Sequence, residues 1–521
     1  MKLELVGHNE KYALEQSLLA LFPEERPVYG EVSPDDARYA AVTMREEDAR
    51  VEFVTELTFD GKTGRCAYAC PLSGDGYARE GQRRHALGLS FFGAARDALG
   101  LAPPWGSLTG VRPTKVALAL LRRGGREHAE RELMETYRVT PPRARLAIEA
   151  AEAGIRAAEE LGPDGISLYV GIPFCPTRCA YCSFVSQSVE KTFGMIEPYL
   201  DALGAEIAAA GEMVRRLGLR VKSFYMGGGT PTTLSAAQMD ALLTALEAHF
   251  DFAGLTELTV EAGRPDTIES DKLAVLRAHG VTRVSVNPQS MNDAVLAAIG
   301  RRHTAEDVRR AMALVKDAGF PHVNMDLIAG LSADTPEGFA RSLRECLALG
   351  ADNITVHTLS RKKGSRVTLE QNAPNRRAAD ESAPEAGLPD ADAVARMLDY
   401  ADETLRKHGY APYYLYRQKY MSGGFENVGW TLPGAACLYN IYIMEEVHGI
   451  LSLGAGGSTK MVGGTEAAPV IRRVFNAKYP KEYVERPEKW RANLDEFAAF
   501  YGAGAAREPR KGLFYGKEDS E

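Results

Sequence analysis

From Lys2 to Pro71 apolar and polar residues alternate as they do on half-buried strands: Lys2-Leu-Glu-Leu-Val, Pro27-Val-Tyr-Gly-Glu-Val, Tyr39-Ala-Ala-Val-Thr-Met and Val51-Glu-Phe-Val-Thr-Glu-Leu-Thr-Phe. The last run closes on Asp60-Gly61 and continues into Arg65-Cys-Ala-Tyr-Ala-Cys, which predicts a hairpin. Beyond Gly81 the period lengthens to that of helices, as in Arg145-Leu-Ala-Ile-Glu-Ala-Ala-Glu-Ala-Gly-Ile-Arg. The pattern predicts an α+β amino-terminal domain over 1–161, ended by a Gly162-Pro-Asp-Gly linker.

From residue 166 to 360 short apolar runs alternate with amphipathic segments. The runs are Leu168-Tyr-Val-Gly-Ile, Ser223-Phe-Tyr-Met, Glu257-Leu-Thr-Val-Glu, Arg283-Val-Ser-Val-Asn, His322-Val-Asn-Met-Asp-Leu-Ile and Asn353-Ile-Thr-Val-His-Thr-Leu. Strands separated by helices pair in parallel through right-handed crossovers, so these units predict an α/β partial barrel. Ligands of such barrels gather at the carboxyl ends of the strands. Here those ends carry the unusual residues: a cysteine loop, Gly227-Gly-Gly-Thr-Pro-Thr232, Glu261, Asn287-Pro-Gln289, Asn324 with Asp326, and His357-Thr-Leu-Ser360. The stretch 361–391 is charged and rich in Ala, Pro and Asn, a linker or flexible loop. Residues 392–521 mix helical, aromatic and glycine-rich segments, a mixed α/β carboxyl-terminal extension.

The chain has 521 residues, 45% hydrophobic and 25% charged, enough for two or three cores. A net charge of −8 provides no global field for nucleic acid or anionic lipid. No apolar run approaches a membrane span and the start is too charged for a signal peptide, which places the protein in the cytoplasm. Seven cysteines in this length argue against a disulfide framework.

Three of the seven cysteines stand in Cys175-Pro-Thr-Arg-Cys179-Ala-Tyr-Cys182, directly after the first barrel strand. Three thiolates at this spacing suit an iron–sulfur cluster with one open iron. A zinc knuckle, which needs a fourth ligand from elsewhere, and structural thiols are the alternatives. The glycines of 227–229 allow close backbone approach to a ligand, or serve a tight turn. Glu261 is a rim carboxylate or a helix cap; Asp326 is a ligand contact or a hydrogen-bonded core carboxylate. Arg301, beside Arg302, is a site cation or surface charge, and His357 reads best as a satisfied core histidine. Cys66 and Cys70 share one strand face and are read as buried reduced thiols rather than half a metal site. The turn-rich loop Trp105 to Lys115 offers Arg112 and Lys115 to an anion or to solvent.

Cys-x3-Cys-x2-Cys after Tyr169-Val-Gly-Ile-Pro-Phe174, followed by Gly-Gly-Gly-Thr-Pro-Thr, resembles the radical S-adenosylmethionine (SAM) superfamily. More narrowly, residues 167–360 are similar to the oxygen-independent coproporphyrinogen III oxidases, and the amino-terminal domain resembles their HemZ-type group. The resemblance implies a partial (β/α)6 radical SAM barrel. It implies a [4Fe–4S] cluster on Cys175, Cys179 and Cys182, with one or two S-adenosylmethionine molecules. Tyr169, Gly228 and Glu261 fall where the family contacts the cluster-bound molecule. Tyr181, Gly229, Thr230, Gln289, Arg301, Asp326 and Ser360 fall where it contacts the second.

The implied reaction is oxidative decarboxylation of coproporphyrinogen III to protoporphyrinogen IX, with flavodoxin or ferredoxin as the electron donor. Arg112, Arg301 and Arg417 are candidates to hold propionates. One position departs from the pattern. Where the oxidases carry a further cysteine two residues after the third ligand, this chain has Phe184, and the related haem chaperones have an aromatic there. A haem-binding chaperone and a radical enzyme acting on another tetrapyrrole are therefore the competing readings.

Overall fold

The structure, a computed structural model, describes residues 1–22, 25–74, 76–159, 161–177, 179–182, 187–188, 192–360, 388–418, 424–464 and 469–502. Phe184, most of the expected linker and the tail from Lys511 lie outside these residues. The chain divides into two compact units, Met1–Ile148 with Tyr416–Glu426, and Glu149–Leu415 with Asn427–Glu521.

In the first unit, β1 (Lys2–Val6), β2 (Val28–Tyr29), β3 (Arg38–Glu47), β4 (Arg50–Phe59) and β5 (Lys62–Pro71) form one sheet in the order β2-β1-β3-β4-β5. The β4–β5 hairpin turns at Asp60 and Gly61, both at positive φ (49° and 82°), as its sequence predicts. A helix over Lys11–Leu21 interrupts the strand-like text. Ala13, Leu14, Ser17 and Leu18 recur there at helical spacing and are buried, and a period-two reading of the whole stretch passes over them. Cys66 and Cys70 are free and half-buried, and burial raises both thiols. Gly93 of the helix Gly76–Leu99 lies so close that a Cβ there would meet the Cys66 sulfur at 2.3 Å. These two cysteines pack.

The segment Tyr416–Glu426 is built into this unit by buried polar contacts. Trp105 Nε1 donates to Glu426 at 2.6 Å, Arg143 pairs with the same carboxylate at 2.9 Å, and the Arg417 amide donates to Val111 O at 2.7 Å. The Arg417 guanidinium donates to the carbonyls of Leu108 and Gly424, and its burial lowers its pKa to about 10. Arg417, a candidate for propionates, instead holds the Trp105 loop. Arg112 precedes the helix Pro113–Glu135 as its N-cap residue, and Lys115 is exposed.

The second unit is built on an 11-stranded sheet. Its parallel centre takes β6 (Gly165–Ile172), β9 (Arg220–Gly228), β10 (Glu257–Glu261), β11 (Arg283–Ser285), β12 (His322–Ala329) and β13 (Asn353–Thr358) in sequence order. The helices Ile196–Leu217, Ala236–His249, Ser270–Ala278, Ala305–Asp317 and Pro336–Ala348 alternate with them. The expected α/β partial barrel is present. Two short strands, β7 (Phe174–Cys175) and β8 (Gln187–Ser188), pair in parallel beside it.

Strands of the carboxyl-terminal extension occupy both edges of the sheet. β14 (Ala411–Arg417) and β15 (Glu426–Thr431) follow β13, with β15 antiparallel to it. β16 (Gly449–Leu453) runs parallel to β6, and β17 (Ser458–Gly464) and β18 (Pro469–Phe475) continue antiparallel beyond it. β16 is thus a further parallel strand. Its carboxyl end, the run Gly454–Gly457, meets the same rim as the barrel loops.

That run is pinned by Glu206. Its buried carboxylate accepts from the Gly454 amide at 2.7 Å, Asn476 Nδ2 at 2.8 Å and the Tyr483 hydroxyl at 2.5 Å. Gly454 sits at φ 92°, and a Cβ there would lie 2.5 Å from the Tyr199 hydroxyl. Glu206→Ala strands three buried donors and is expected to destabilise the chain by about 3 kcal/mol. A urea midpoint unchanged from wild type would contradict this.

Candidate active site

The cysteine loop is rooted by the register of the first two barrel strands. β6 and β9 pair with Gly171 opposite Gly227 and Ile172 opposite Gly228. The glycine run then folds back: the Gly229 amide donates to Ile172 O and the Thr230 amide to Phe174 O, both at 2.7 Å. A Cβ on Gly229 would stand 2.5 Å from Phe174 O, so only glycine permits this approach. The contact brings the Thr230 hydroxyl to 3.4 Å from the Cys175 sulfur. Cys179 is buried, Cys175 and Cys182 are half-buried, and none of the three is in a disulfide.

Cations face this loop. Arg264, buried and three residues past Glu261, places Nη1 3.1 Å from Thr177 Oγ1 and 3.9 Å from the Cys179 sulfur. Arg301 donates to Asn287 O at 2.6 Å and to the Tyr181 hydroxyl at 3.3 Å, and its charge also acts on Cys179. It is buried while Arg302 is exposed, so the surface reading of Arg301 fails. Tyr181 packs against the cluster of Val295, Ile299 and Leu359. His303 lies nearby, buried; desolvation, then Arg301 and Arg264, push its pKa down to about 4, so the imidazole is neutral at neutral pH.

Carboxylates occupy the neighbouring strand ends. Glu261 accepts from the Tyr225 hydroxyl at 2.6 Å and from the Gly228 backbone. It does not cap the following helix, whose N-cap is Glu269. Burial raises Glu261 to about 7, with Asp326 adding to the rise and Tyr225 opposing it. Gly227 makes room for this carboxyl, since a Cβ there would lie 2.9 Å from it. Tyr225 stacks on Tyr439 at 4.6 Å between centroids, and Tyr169 stacks with both at 6.2 and 6.0 Å.

Burial works to raise Asp326, but His357, then Asn324 and Thr355, bring it below the usual carboxylate value. Asn324 Nδ2 donates to Asp326 at 2.8 Å, and His357 Nε2 stands 3.8 Å away. His357 Nδ1 meets Asn427 Oδ1 at 3.3 Å, so the satisfied-histidine reading holds in part, with the other nitrogen turned to the site carboxylate. Gln289 is buried at φ 70°, a conformation rare for a side-chain-bearing residue, held by its amide to Asp326 O and the Ile328 amide to its carbonyl. Ser360 directly follows this strand end, after Leu359 whose amide donates to Ala329 O.

The structure thus gathers the candidate residues at adjacent strand ends of one unit. Tyr225, Tyr439, Arg264 and His303 join them without having been singled out in the sequence. Tyr225 is legible in hindsight, two residues before Gly227 and therefore on its face of the strand. Tyr439 is not: Glu257, the first residue of β10, receives the Leu438 amide at 2.9 Å and the Cys437 thiol at 3.1 Å, and so seats the helix Leu438–Glu445. Among the described residues no group of three or more His, Cys, Asp or Glu side chains could by itself hold a metal ion. The donor set nevertheless fits a cluster and an amino-acid-bearing cofactor. It has cysteine thiols outside any disulfide beside cationic N–H groups, bare glycine backbone at Gly227 to Gly229, and a carboxylate pair. Two buried atoms, Asn287 Oδ1 and Arg301 Nε, have no partner among the described residues and suit a polar ligand.

Residues 169–346 match the radical SAM superfamily. The chain is 35% identical over 496 residues to the oxygen-independent coproporphyrinogen-III oxidase-like protein HemZ of Bacillus subtilis, covering 94% of this chain and 96% of that one. It is 34% identical over 205 residues to the oxygen-independent coproporphyrinogen III oxidase of Escherichia coli, 39% of this chain and 44% of the relative. It is 35% identical over 193 residues to the haem chaperone HemW of Lactococcus lactis, 37% of this chain and 48% of the relative. Over the described residues no helix is long and apolar enough to cross a membrane.

Glu261 supplies a test of this geometry. Its folded pKa, about 7, lies above the ordinary 4.5, so between these values the folded chain holds a proton that the unfolded chain has released. Its contribution to stability is full below the lower value and falls as pH rises through the higher one. Glu261→Gln is expected to lack this fall and to gain on wild type by roughly 2–3 kcal/mol between about pH 5 and pH 8. Denaturation curves that shift in parallel for both proteins across this range would refute the buried placement.

Proposed function

Because the chain belongs to the HemZ type of the oxygen-independent coproporphyrinogen III oxidase family, within the radical SAM superfamily, we propose that it decarboxylates coproporphyrinogen III to protoporphyrinogen IX. The observation that carries this reading is that the relationship to a coproporphyrinogen-III oxidase-like protein runs almost the whole length of both chains. A [4Fe–4S] cluster and S-adenosylmethionine, when bound, would supply a 5′-deoxyadenosyl radical able to abstract hydrogen from an unactivated carbon.

In this reading Cys175, Cys179 and Cys182 hold the cluster. Glu261, with Tyr169 and the Gly228 backbone, would contact the cluster-bound S-adenosylmethionine. The raised pKa of Glu261 means that a cation placed beside it would restore its charge, which favours an ammonium there. Asp326, Gln289, Arg301, Tyr181, Gly229, Thr230 and Ser360 would contact a second molecule. The Tyr169, Tyr225 and Tyr439 stack excludes water beside them. Each propionate that becomes a vinyl group loses one hydrogen atom and carbon dioxide, and an external acceptor takes the remaining electron. A flavodoxin or ferredoxin would supply the electron that starts each turnover, in the cytoplasm.

One observation favours a second reading, a haem chaperone. Phe184 stands where the family's oxidases carry cysteine, and the barrel region also matches HemW. Anaerobic turnover separates the two. The reconstituted full chain with coproporphyrinogen III, S-adenosylmethionine and a reductant is expected to form vinyl product and 5′-deoxyadenosine, and Cys179→Ser neither. Co-purified haem with a Soret band and no vinyl product would instead establish the chaperone. Turnover with a different tetrapyrrole alone would reassign the substrate.

A further inference from the structure

Arg264 has no part in the contacts assigned above to S-adenosylmethionine, yet it is among the most firmly held side chains of the rim. Its side chain is 3% exposed and forks onto Asp266, Nε to Oδ1 at 2.9 Å and Nη2 to Oδ2 at 3.0 Å. The remaining nitrogen, Nη1, reaches the cysteine loop: Thr177 Oγ1 at 3.1 Å, Thr177 O at 3.4 Å and the Cys179 sulfur at 3.9 Å.

The backbone beneath it is fixed as well. Arg264 O accepts from the Thr267 amide at 2.9 Å and the Thr267 hydroxyl at 2.8 Å. That hydroxyl bonds Thr232 at 2.6 Å, and Lys272 Nζ ties the carbonyls of Thr232 and Thr267 at 3.0 and 3.3 Å. The loop after β10 is thereby latched to the loop after β9. Burying a guanidinium requires that its donors be used, and two of its three nitrogens are satisfied by Asp266. The third is directed at a cysteine.

We infer that Arg264 is a positioning residue for the cluster, holding Thr177 and Cys179 and raising the cluster's reduction potential by setting a cationic N–H against the Cys179 sulfur. The inference rests on the reading that Cys179 is an iron ligand. Reduction adds negative charge to a cluster, and hydrogen bonds to its sulfurs and nearby positive charge stabilise the reduced form. Asp266 opposes this only in part. Its side chain is 29% exposed and better screened by water than the buried guanidinium.

The two partners therefore make opposite demands on one measurement. In the reconstituted full chain, titrated potentiometrically with the reduced cluster followed by electron paramagnetic resonance, Arg264→Gln is expected to lower the midpoint potential. Asp266→Asn, which leaves the guanidinium in place, is expected to raise it. Arg264→Lys keeps the charge but not the fork, and should fall between wild type and Arg264→Gln. If Arg264→Gln does not hold iron, Asp266→Asn carries the test. Unmoved potentials, shifts of the opposite sign, or loss of iron from both Arg264→Gln and Asp266→Asn would overturn the inference. A Cys179→Ser protein that keeps wild-type iron content and potential would remove the ligand reading and this inference with it. Loss of its cluster beside unmoved Arg264 and Asp266 potentials would remove this inference alone.

Discussion

The parallel pairing of β6 with β9 is the constraint on which the rim depends. Its register sets Gly171 opposite Gly227 and ends with Ile172 opposite Gly228, and the glycine run continues to Gly229. Removing three side chains at a strand end lets one backbone fold onto the other, and the amides of Gly229 and Thr230 close on Ile172 and Phe174. From this follow the root of the cysteine loop, the contact between Thr230 and Cys175, and the space beside Gly227 that the Glu261 carboxyl fills. The hydrophobic strands Gly165–Ile172 and Arg220–Gly228 supply the stability against which this irregular backbone is held.

Around that backbone the buried charges sort by partner. Arg264 and Arg301 both act on Cys179, and His303 between them is kept neutral, which leaves the thiols in cationic surroundings. Asp326 acts on Glu261 instead. Asp326 has Asn324 and His357 to stabilise its charge, whereas Glu261 has chiefly a tyrosine and a backbone group, so the two buried carboxyls are driven apart in pKa. A site that leaves one carboxyl short of a counter-charge is complementary to a cationic ligand.

The carboxyl-terminal half of the chain completes both units. Tyr416–Glu426 contributes Arg417 and Glu426 to the buried contacts of the Trp105 loop. The strands on either side of that segment, and those that follow, extend the barrel sheet at both edges, with β16 beside β6 adding one more rim loop held by Glu206. Tyr439 enters the tyrosine stack by the same route. Polar groups buried far apart in sequence carry these joins, because an unpaired carboxylate or guanidinium in a core is costly enough to select one partner.

The alternation of apolar runs and amphipathic segments determined the barrel strands and their order, since only parallel pairing with helical crossovers satisfies that pattern. The clustered cysteines and the glycine run determined where the chemistry sits, because thiol spacing and the absence of side chains are properties of the text itself. The burial of Arg301, the reach of Arg264 to Cys179, the placement of Tyr439 and the structural duty of Arg417 were decided only in three dimensions. Each depends on partners from other strand ends or from segments hundreds of residues away. A sequence names the charge a residue carries; what surrounds that charge, and so whether it decorates a surface, tunes a thiol or clasps a loop, is set by the packing.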